Sequence, residues 1–243
     1  MRVICIIPIY NESSRLNLLV DKIKEFKKIE NKKIDFLLIN NGSTDNTDEI
    51  LKLSKLNFLK LKRNRGIGYS LILGLRIAHR NRYDILVHMA GNNKMSPFDI
   101  KNILNPLIEN DYDFVNGTRF LKKEDYSTNP IFRKVSIRLL SIIISIIFKK
   151  KITDATCGFR AFKIKYVYKY FKYFNKKKNY TYGYEYYSYG KILLSKTLKS
   201  CETAVGMNYP SKGKYTKIRP IIDWFSILLG YFRALIDGVK IEK

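Results

Sequence analysis

Residues 3–12 read VICIIPIYNE. The β-branched apolar run at 3–8 predicts a buried strand. It breaks at Pro8-Ile9-Tyr10-Asn11-Glu12, and an amphipathic segment at 16–26 then predicts a helix. The same order of strand, polar loop and helix repeats. Residues 34–39 form a second apolar run ending in Asn40-Asn41-Gly42-Ser43-Thr44-Asp45-Asn46-Thr47, where Ser43, Thr44, Asp45 and Thr47 offer N-caps to a following helix. A third run, 58–61, leads into Lys62-Arg63-Asn64-Arg65-Gly66-Ile67-Gly68. There the glycines permit a tight backbone and the arginines suit phosphate, before a helix at 69–78. Three such units predict an α/β fold, a doubly wound, largely parallel sheet with nucleotide bound across its strand ends.

A fourth strand, 85–89, stops at Ala90-Gly91-Asn92-Asn93 within LVHMAGNNKMSP, residues 86–97. In an open sheet the ligand crevice lies outside the carboxyl ends of the strands, which makes Asn92, Asn93 and Lys94 candidates to face it. Taken alone, the stretch reads first as an ordinary β-to-α connection.

The chain of 243 residues has length for one large domain or two small ones. Its formal net charge of +25 predicts a polyanionic partner: nucleic acid, an anionic membrane face or phosphorylated small molecules. A lysine-rich solvated surface is the plainer reading of the same charge. No helix-turn-helix, zinc finger or RNA-binding signature is present, so no nucleic-acid partner is expected, and membrane and phosphate move ahead. Cys5, Cys157 and Cys201 lie far apart without metal-ligand spacing, which indicates neither a disulfide framework nor a zinc site, and suits a reduced, cytosolic-side protein. Met1-Arg2 leads straight into the first strand, with no signal-peptide pattern visible.

IPIYNE at 7–12, INNGSTDNT at 39–47, RNRGIGYS at 63–70, the 86–97 stretch, NGTR at 116–119 and DATCGFRAFK at 154–163 follow one another in a familiar order. Together they resemble family 2 glycosyltransferases, and within them the dolichyl- or polyprenyl-phosphate sugar transferases, over roughly residues 3–220. The resemblance implies a glycosyltransferase-A fold, Rossmann-like with helices flanking the sheet, and inverting transfer of a sugar from a nucleoside diphosphate. It implies a nucleotide pocket of Pro8, Tyr10, Asn11, Glu12, Asn41, Arg65, Gly66, Gly91 and Asn92. It also implies acceptor and phosphate contacts from Arg119, Arg133 and Arg160, and a closing basic loop with Lys212, Lys214, Lys217 and Arg219. Glu185, in YTYGYEYYSYG, matches the region where these enzymes carry an acid near the acceptor. An ordinary loop glutamate is the competing reading. Cys157 stands where the family often has serine and is read as a space-filler.

The chain departs from the family at the fourth strand end. Aligned on Pro97, the family's metal-binding Asp-x-Asp falls at Ala90 and Asn92, and its following glutamine at Lys94. Hard divalent cations want anionic oxygens, and Asn92 offers one neutral carbonyl oxygen. Mg2+ or Mn2+ as cofactor is thereby put in question, and Lys94 is the candidate to neutralise the diphosphate in the cation's place. The alternative is a silent homologue that keeps the fold as a binding partner in a membrane-associated glycan assembly.

Residues 137–148, IRLLSIIISIIF, are apolar almost all round and too short to span a bilayer. A buried core helix and a helix lying in an anionic membrane interface both fit, and the resemblance favours the interface. Residues 221–239 form a second amphipathic candidate, surface-lying or oligomer-forming, where Asp223, Arg233 and Asp237 argue against a span. The tyrosine- and lysine-rich segment 166–189 suits single-stranded nucleic acid, a membrane interface or a sugar-stacking wall. The expected organisation is a catalytic domain at 1–220 and a C-terminal amphipathic helix at 221–243. The expected partners are a nucleotide sugar, a lipid-phosphate acceptor and an anionic membrane surface. The expected place is the inner face of the cell membrane, in envelope glycan synthesis.

Overall fold

The computed structural model describes residues 1–30, 34–121, 131–209 and 222–238. The chain opens with β1 (Val3–Ile9), α1 (Ser13–Ile29), β2 (Ile34–Asn40), α2 (Thr47–Ser54), β3 (Phe58–Lys60), α3 (Ile67–Arg80) and β4 (Ile85–His88). This is the predicted β-loop-α alternation. A short 3-10 turn at Pro97–Asp99 leads into α4 (Ile100–Glu109), then β5 (Phe114–Thr118), α5 (Ile131–Phe148) and β6 (Arg160–Lys163). Two single-turn helices, α6 (Ile164–Val167) and α7 (Phe171–Phe174), precede α8 (Gly183–Leu194), β7 (Ser200–Ala204) and α9 (Ile222–Gly238).

The described strands form one sheet of order β3-β2-β1-β4-β6-β5-β7. β1 runs parallel to β2 and β4, β2 to β3, and β5 to β7. β6 alone runs antiparallel, with His88 opposite Arg160 on one side and Asn116 opposite Arg160 on the other. One edge of the sheet therefore gathers the carboxyl ends of β1, β2, β4, β5 and β7 and the amino end of β6. The α/β class and largely parallel sheet match expectation, and the reversed strand is the addition. A four-residue strand, RAFK, carries no directional signal of its own.

Two apolar layers sandwich the sheet. On one face α1 sends Leu16, Leu19, Val20, Ile23 and Phe26 against alternate residues of β1 and β2; on the other, α3 and α8 cover Ile4, Ile6 and Leu86. Each such aliphatic side chain, fully buried, contributes about 1.5–3 kcal/mol of transfer free energy. The tyrosine-rich segment corrects an expectation. Tyr170, Tyr184, Tyr186, Tyr187 and Tyr189 are buried, packing with Phe114, Phe162, Phe174 and Tyr231 as an aromatic core, and only Tyr182 and Tyr186 among the segment's described tyrosines also border the cleft at the strand ends.

α5 is longer than the apolar run suggested and has two faces. Ile137, Ser141, Ile144 and Phe148 point inward, whereas Ile131, Phe132, Val135, Leu139, Ile142, Ile143, Ile146 and Ile147 are exposed. α9 packs along α8 through Ile227, Tyr231 and Ala234, and leaves Phe225, Leu228, Leu229, Phe232 and Ile236 exposed. The two helices meet where Phe148 packs edge-on against Tyr231, ring centroids 5.8 Å apart. Among the described residues no helix is long and apolar enough to cross a membrane.

Candidate active site

The loops that leave β1 and β2 are stitched together before either reaches a ligand. Asn11, at a left-handed φ of 50°, which asparagine tolerates, accepts from the Thr44 backbone at 2.8 Å, and its own N–H donates to Ser43 Oγ at 3.0 Å. The Glu12 and Ser13 N–H groups donate to Thr47 Oγ1 and Asp45 Oδ2. Asn41 ties this pair to the next loop, donating to Asn64 Oδ1 at 2.9 Å and accepting from the Arg65 N–H at 3.0 Å. Asn40 is buried and holds the turn itself by accepting from the Ser43 N–H.

β4 ends against β1 at Gly91, where a Cβ would come within 2.7 Å of both the Pro8 carbonyl oxygen and Ile9. A side chain cannot enter so close a contact between strand ends. The chain then turns through Asn93 at φ 56°, and Asn92 Oδ1 accepts the Lys94 N–H. This turn swings Lys94 back into the cleft, where it is only 7% exposed. Its ammonium lies 5.3 Å from the centre of the Tyr209 ring, and the Arg133 guanidinium, from the first turn of α5, lies 5.4 Å from the same centre. Burial first, then Arg133, Arg15 and Arg119, push the Lys94 amine down to about 8, with Glu12 acting in the opposite sense. Positive charge is thus concentrated at one point of the sheet edge.

Beyond it lies a buried ion pair. Arg119, at the end of β5, grips Asp154 through Nε–Oδ2 at 2.6 Å and Nη2–Oδ1 at 2.7 Å, and also donates to Tyr209 Oη at 2.7 Å and Thr156 Oγ1 at 2.6 Å. Burial alone would raise the Asp154 carboxyl, but Arg119 and the hydrogen bonds hold it below its ordinary value; Arg119 is held above its own. Glu185, near the start of α8, is half-buried at the cleft wall. Burial raises its carboxyl, with Arg160 opposing the rise. Gly158 lies directly beneath it, since a Cβ there would sit 2.6 Å from Glu185 Oε1. Arg160 donates to the Glu185 backbone carbonyl and, through Nε, to Asn116 Oδ1 at 2.9 Å.

These elements enclose a cleft of about 510 Å3. It brings together Pro8, Tyr10, Asn11, Glu12, Asn41, Gly66, Gly91, Asn92, Lys94, Arg119, Arg133 and Glu185. Two of the expected residues lie elsewhere. Arg65 is exposed on the rim, stacked 3.9 Å from the Tyr69 ring centre, and Arg160 is buried behind the wall, under Glu185. Lys212, Lys214, Lys217 and Arg219 fall outside the described residues. Cys157 is buried, its thiol pushed up to about 12 by burial, in keeping with a neutral space-filler.

The family model for glycosyl transferase family 2 matches residues 4–171, which hold β2 to β6 and nearly all of β1, the stitched loops and the cationic turn just described. The chain is a family 2 glycosyltransferase. Relatives of this glycosyltransferase include the UDP-N-acetylglucosamine–dolichyl-phosphate N-acetylglucosaminyltransferase of Methanococcus voltae, 27% identical over 65% of this chain and 67% of that one. A dolichyl-phosphate beta-glucosyltransferase of Dictyostelium discoideum is 27% identical over 65% of this chain and 52% of its own length. An undecaprenyl-phosphate 4-deoxy-4-formamido-L-arabinose transferase of Yersinia pestis is 24% identical over 67% of this chain, and the match spans about half of that relative. Among solved structures, glucosyl-3-phosphoglycerate synthase of Mycobacterium tuberculosis, in complex with Mn2+ and UDP, superimposes over 98% of this chain and 79% of its own, with a TM-score of 0.68 at 13% identity. That likeness establishes the glycosyltransferase-A fold.

The donor set of this glycosyltransferase does not fit a hard divalent cation at the end of β4. Ala90 has no side-chain ligand atom, the Asn92 oxygen accepts the Lys94 N–H, and an ammonium with guanidinium neighbours faces the same space. Among the described residues no three His, Cys, Asp or Glu side chains gather as a metal site.

Sequence reasoning did not single out Arg15, Asp154 or Tyr209 as site residues of this glycosyltransferase. Arg15 reads as one more charge on an exposed helix. Asp154 lay in a quoted motif, yet its pairing with Arg119 depends on β6 folding back beside β5. His88 also lines the cleft; burial, with Arg160 nearby, pushes its imidazole down to about 3 and keeps it neutral.

Proposed function

We propose that this chain transfers a sugar, with inversion, from a nucleoside diphosphate sugar to a polyprenyl phosphate at the surface of an anionic membrane. One observation carries the reading. Arg133 lines the cleft from the first turn of α5, and the outer face of that same helix exposes Phe132, Val135, Leu139, Ile142 and Ile146. A phosphate carried on a lipid can therefore meet a guanidinium in the cleft while its chain stays beside the apolar face. The relatives named for dolichyl- and undecaprenyl-phosphate acceptors support the same class of acceptor.

In this reading Pro8, Tyr10, Asn11, Glu12, Asn41, Gly66 and Gly91 hold the nucleoside end. A phosphate oxygen of the acceptor attacks the anomeric carbon from the face opposite the diphosphate, and the carbon–oxygen bond to the diphosphate breaks with its electron pair. An ionised phosphate needs no base, so the wall residues act mainly by positioning. Arg133 orients the acceptor, and Glu185 stands beside the reacting carbon, where its carboxylate would favour developing positive charge on the sugar. Arg119 positions this wall through Asp154 and Thr156, and Arg160 positions Glu185 from behind.

The test is transfer of radiolabelled sugar from a panel of nucleotide sugars to polyprenyl phosphate in detergent, with the anomeric configuration of the product read by NMR. Nucleotide binding without transfer from any donor would favour the silent homologue. Flotation with anionic vesicles tests the membrane surface, and a protein that stays at the bottom of the gradient removes that part of the proposal. Self-association through α9 in the absence of lipid would assign its exposed face to a second copy instead.

A further inference from the structure

We infer that the diphosphate of the donor is held at the end of β4 by a cation of the protein, with Lys94 as its ligand, and that binding and transfer need no divalent metal. The inference rests on the reading of this cleft as a nucleoside diphosphate site. It explains a geometry that is otherwise unfavourable. Three cations from three parts of the chain converge on one phenol: Lys94 from the β4 turn and Arg133 from α5 over the Tyr209 ring, and Arg119 from β5 at its hydroxyl. Asp154 neutralises Arg119 within the buried pair. On Lys94 itself Arg133, Arg15 and Arg119 act in one sense and Glu12 in the other.

Like charges gathered in a half-closed cleft repel one another, and an anion with several oxygens relieves the repulsion. A diphosphate suits this arrangement, because Lys94 offers it a compact ammonium and the Arg133 fork is left to the acceptor phosphate. When the bond to the sugar breaks, negative charge grows on the oxygen of the departing diphosphate. A preset ammonium beside it lowers the barrier as a metal would, and no proton has to move. The same charges disfavour a divalent cation, which meets no anionic oxygen at Ala90, Asn92 or Lys94.

The experiment measures UDP and GDP binding by calorimetry and by melting shift, in excess EDTA and then in Mg2+ or Mn2+, with sugar transfer assayed in parallel. The expected result is an affinity in EDTA within about twofold of that with metal for whichever nucleotide binds. Lys94→Gln is expected to weaken binding by about tenfold or more, the scale of a lost charge-assisted hydrogen bond. Lys94→Arg is expected to recover most of the loss, and the melting curve of each variant without nucleotide reports that it is folded. The inference is overturned if EDTA abolishes binding or transfer, if Lys94→Gln binds like the parent protein, or if neither nucleotide binds under any condition. Metal-independent binding that needs Lys94, without sugar transfer to any lipid phosphate, upholds the inference while removing the transferase reading. EDTA-sensitive transfer does the reverse.

Discussion

Asp154 sets the price of the site at the level of single residues. Its carboxylate is fully buried and holds Arg119 by two hydrogen bonds, so Asp154→Ala leaves a guanidinium in the interior without its counter-charge. We expect a loss of about 3–5 kcal/mol, read as a lower urea midpoint with unchanged slope. Lys94 works in the opposite direction. Burial, Arg133, Arg15 and Arg119 lower its amine to about 8 against the opposing Glu12, whereas the unfolded chain returns it to the ordinary lysine value. Between those values the unfolded state binds more protons, so stability rises with pH across that window, and below about 8 the full penalty is present. Lys94→Met is therefore expected to melt a few degrees higher than the parent at neutral pH, and the gain should fade in alkaline buffer. If the charged amine holds the diphosphate, kcat/KM should fall as pH rises through about 8 in the parent and lose that limb in Lys94→Arg. Lys94 was legible in the sequence because it stands at a strand end, a local signal. Tyr209 and Asp154 were not, because what they do depends on partners that only the folded sheet brings near.

At the scale of elements, α5 shows how far an apolar stretch can be read. Its composition is apolar almost all round, so no periodicity separates inside from outside; the core reading holds for one face, and the other face is exposed. Packing against the rest of the fold decides which face is which. Ile142→Asp combined with Ile146→Asp lies on the exposed face and should leave the melting temperature nearly unchanged while abolishing retention on anionic vesicles; retention by this variant would assign the contact elsewhere. α9 is fixed differently. Tyr231 is buried and donates to the Ala155 carbonyl at 2.6 Å, joining the last described helix to the loop that holds Asp154. Tyr231→Phe should cost about 1 kcal/mol in denaturant unfolding, and a much larger loss would show that the hydroxyl also orders that loop. The first four strands were legible because each couples an apolar run to a polar, turn-forming end. β6 was not, because direction is a property of the sheet and not of four residues.

For the whole molecule the net charge of +25 becomes a statement about ionic strength. If the protein works against anionic lipid, vesicle retention should fall steeply as salt is raised, because the Debye length shrinks from about 10 Å at 0.1 M to about 3 Å at 1 M. Neutral vesicles should hold it weakly at any salt, by the apolar faces alone. The reversed strand has a further consequence. β5 ends and β6 begins at the same edge of the sheet, so the excursion between Thr118 and Arg160, α5 included, departs from the cleft rim and returns to it. Its length can therefore change without shifting the register of any described strand, provided Asp154 keeps its place beside Arg119. If the proposed acceptor lies against α5, acceptor contacts can vary there while the strand ends that face the donor stay as they are.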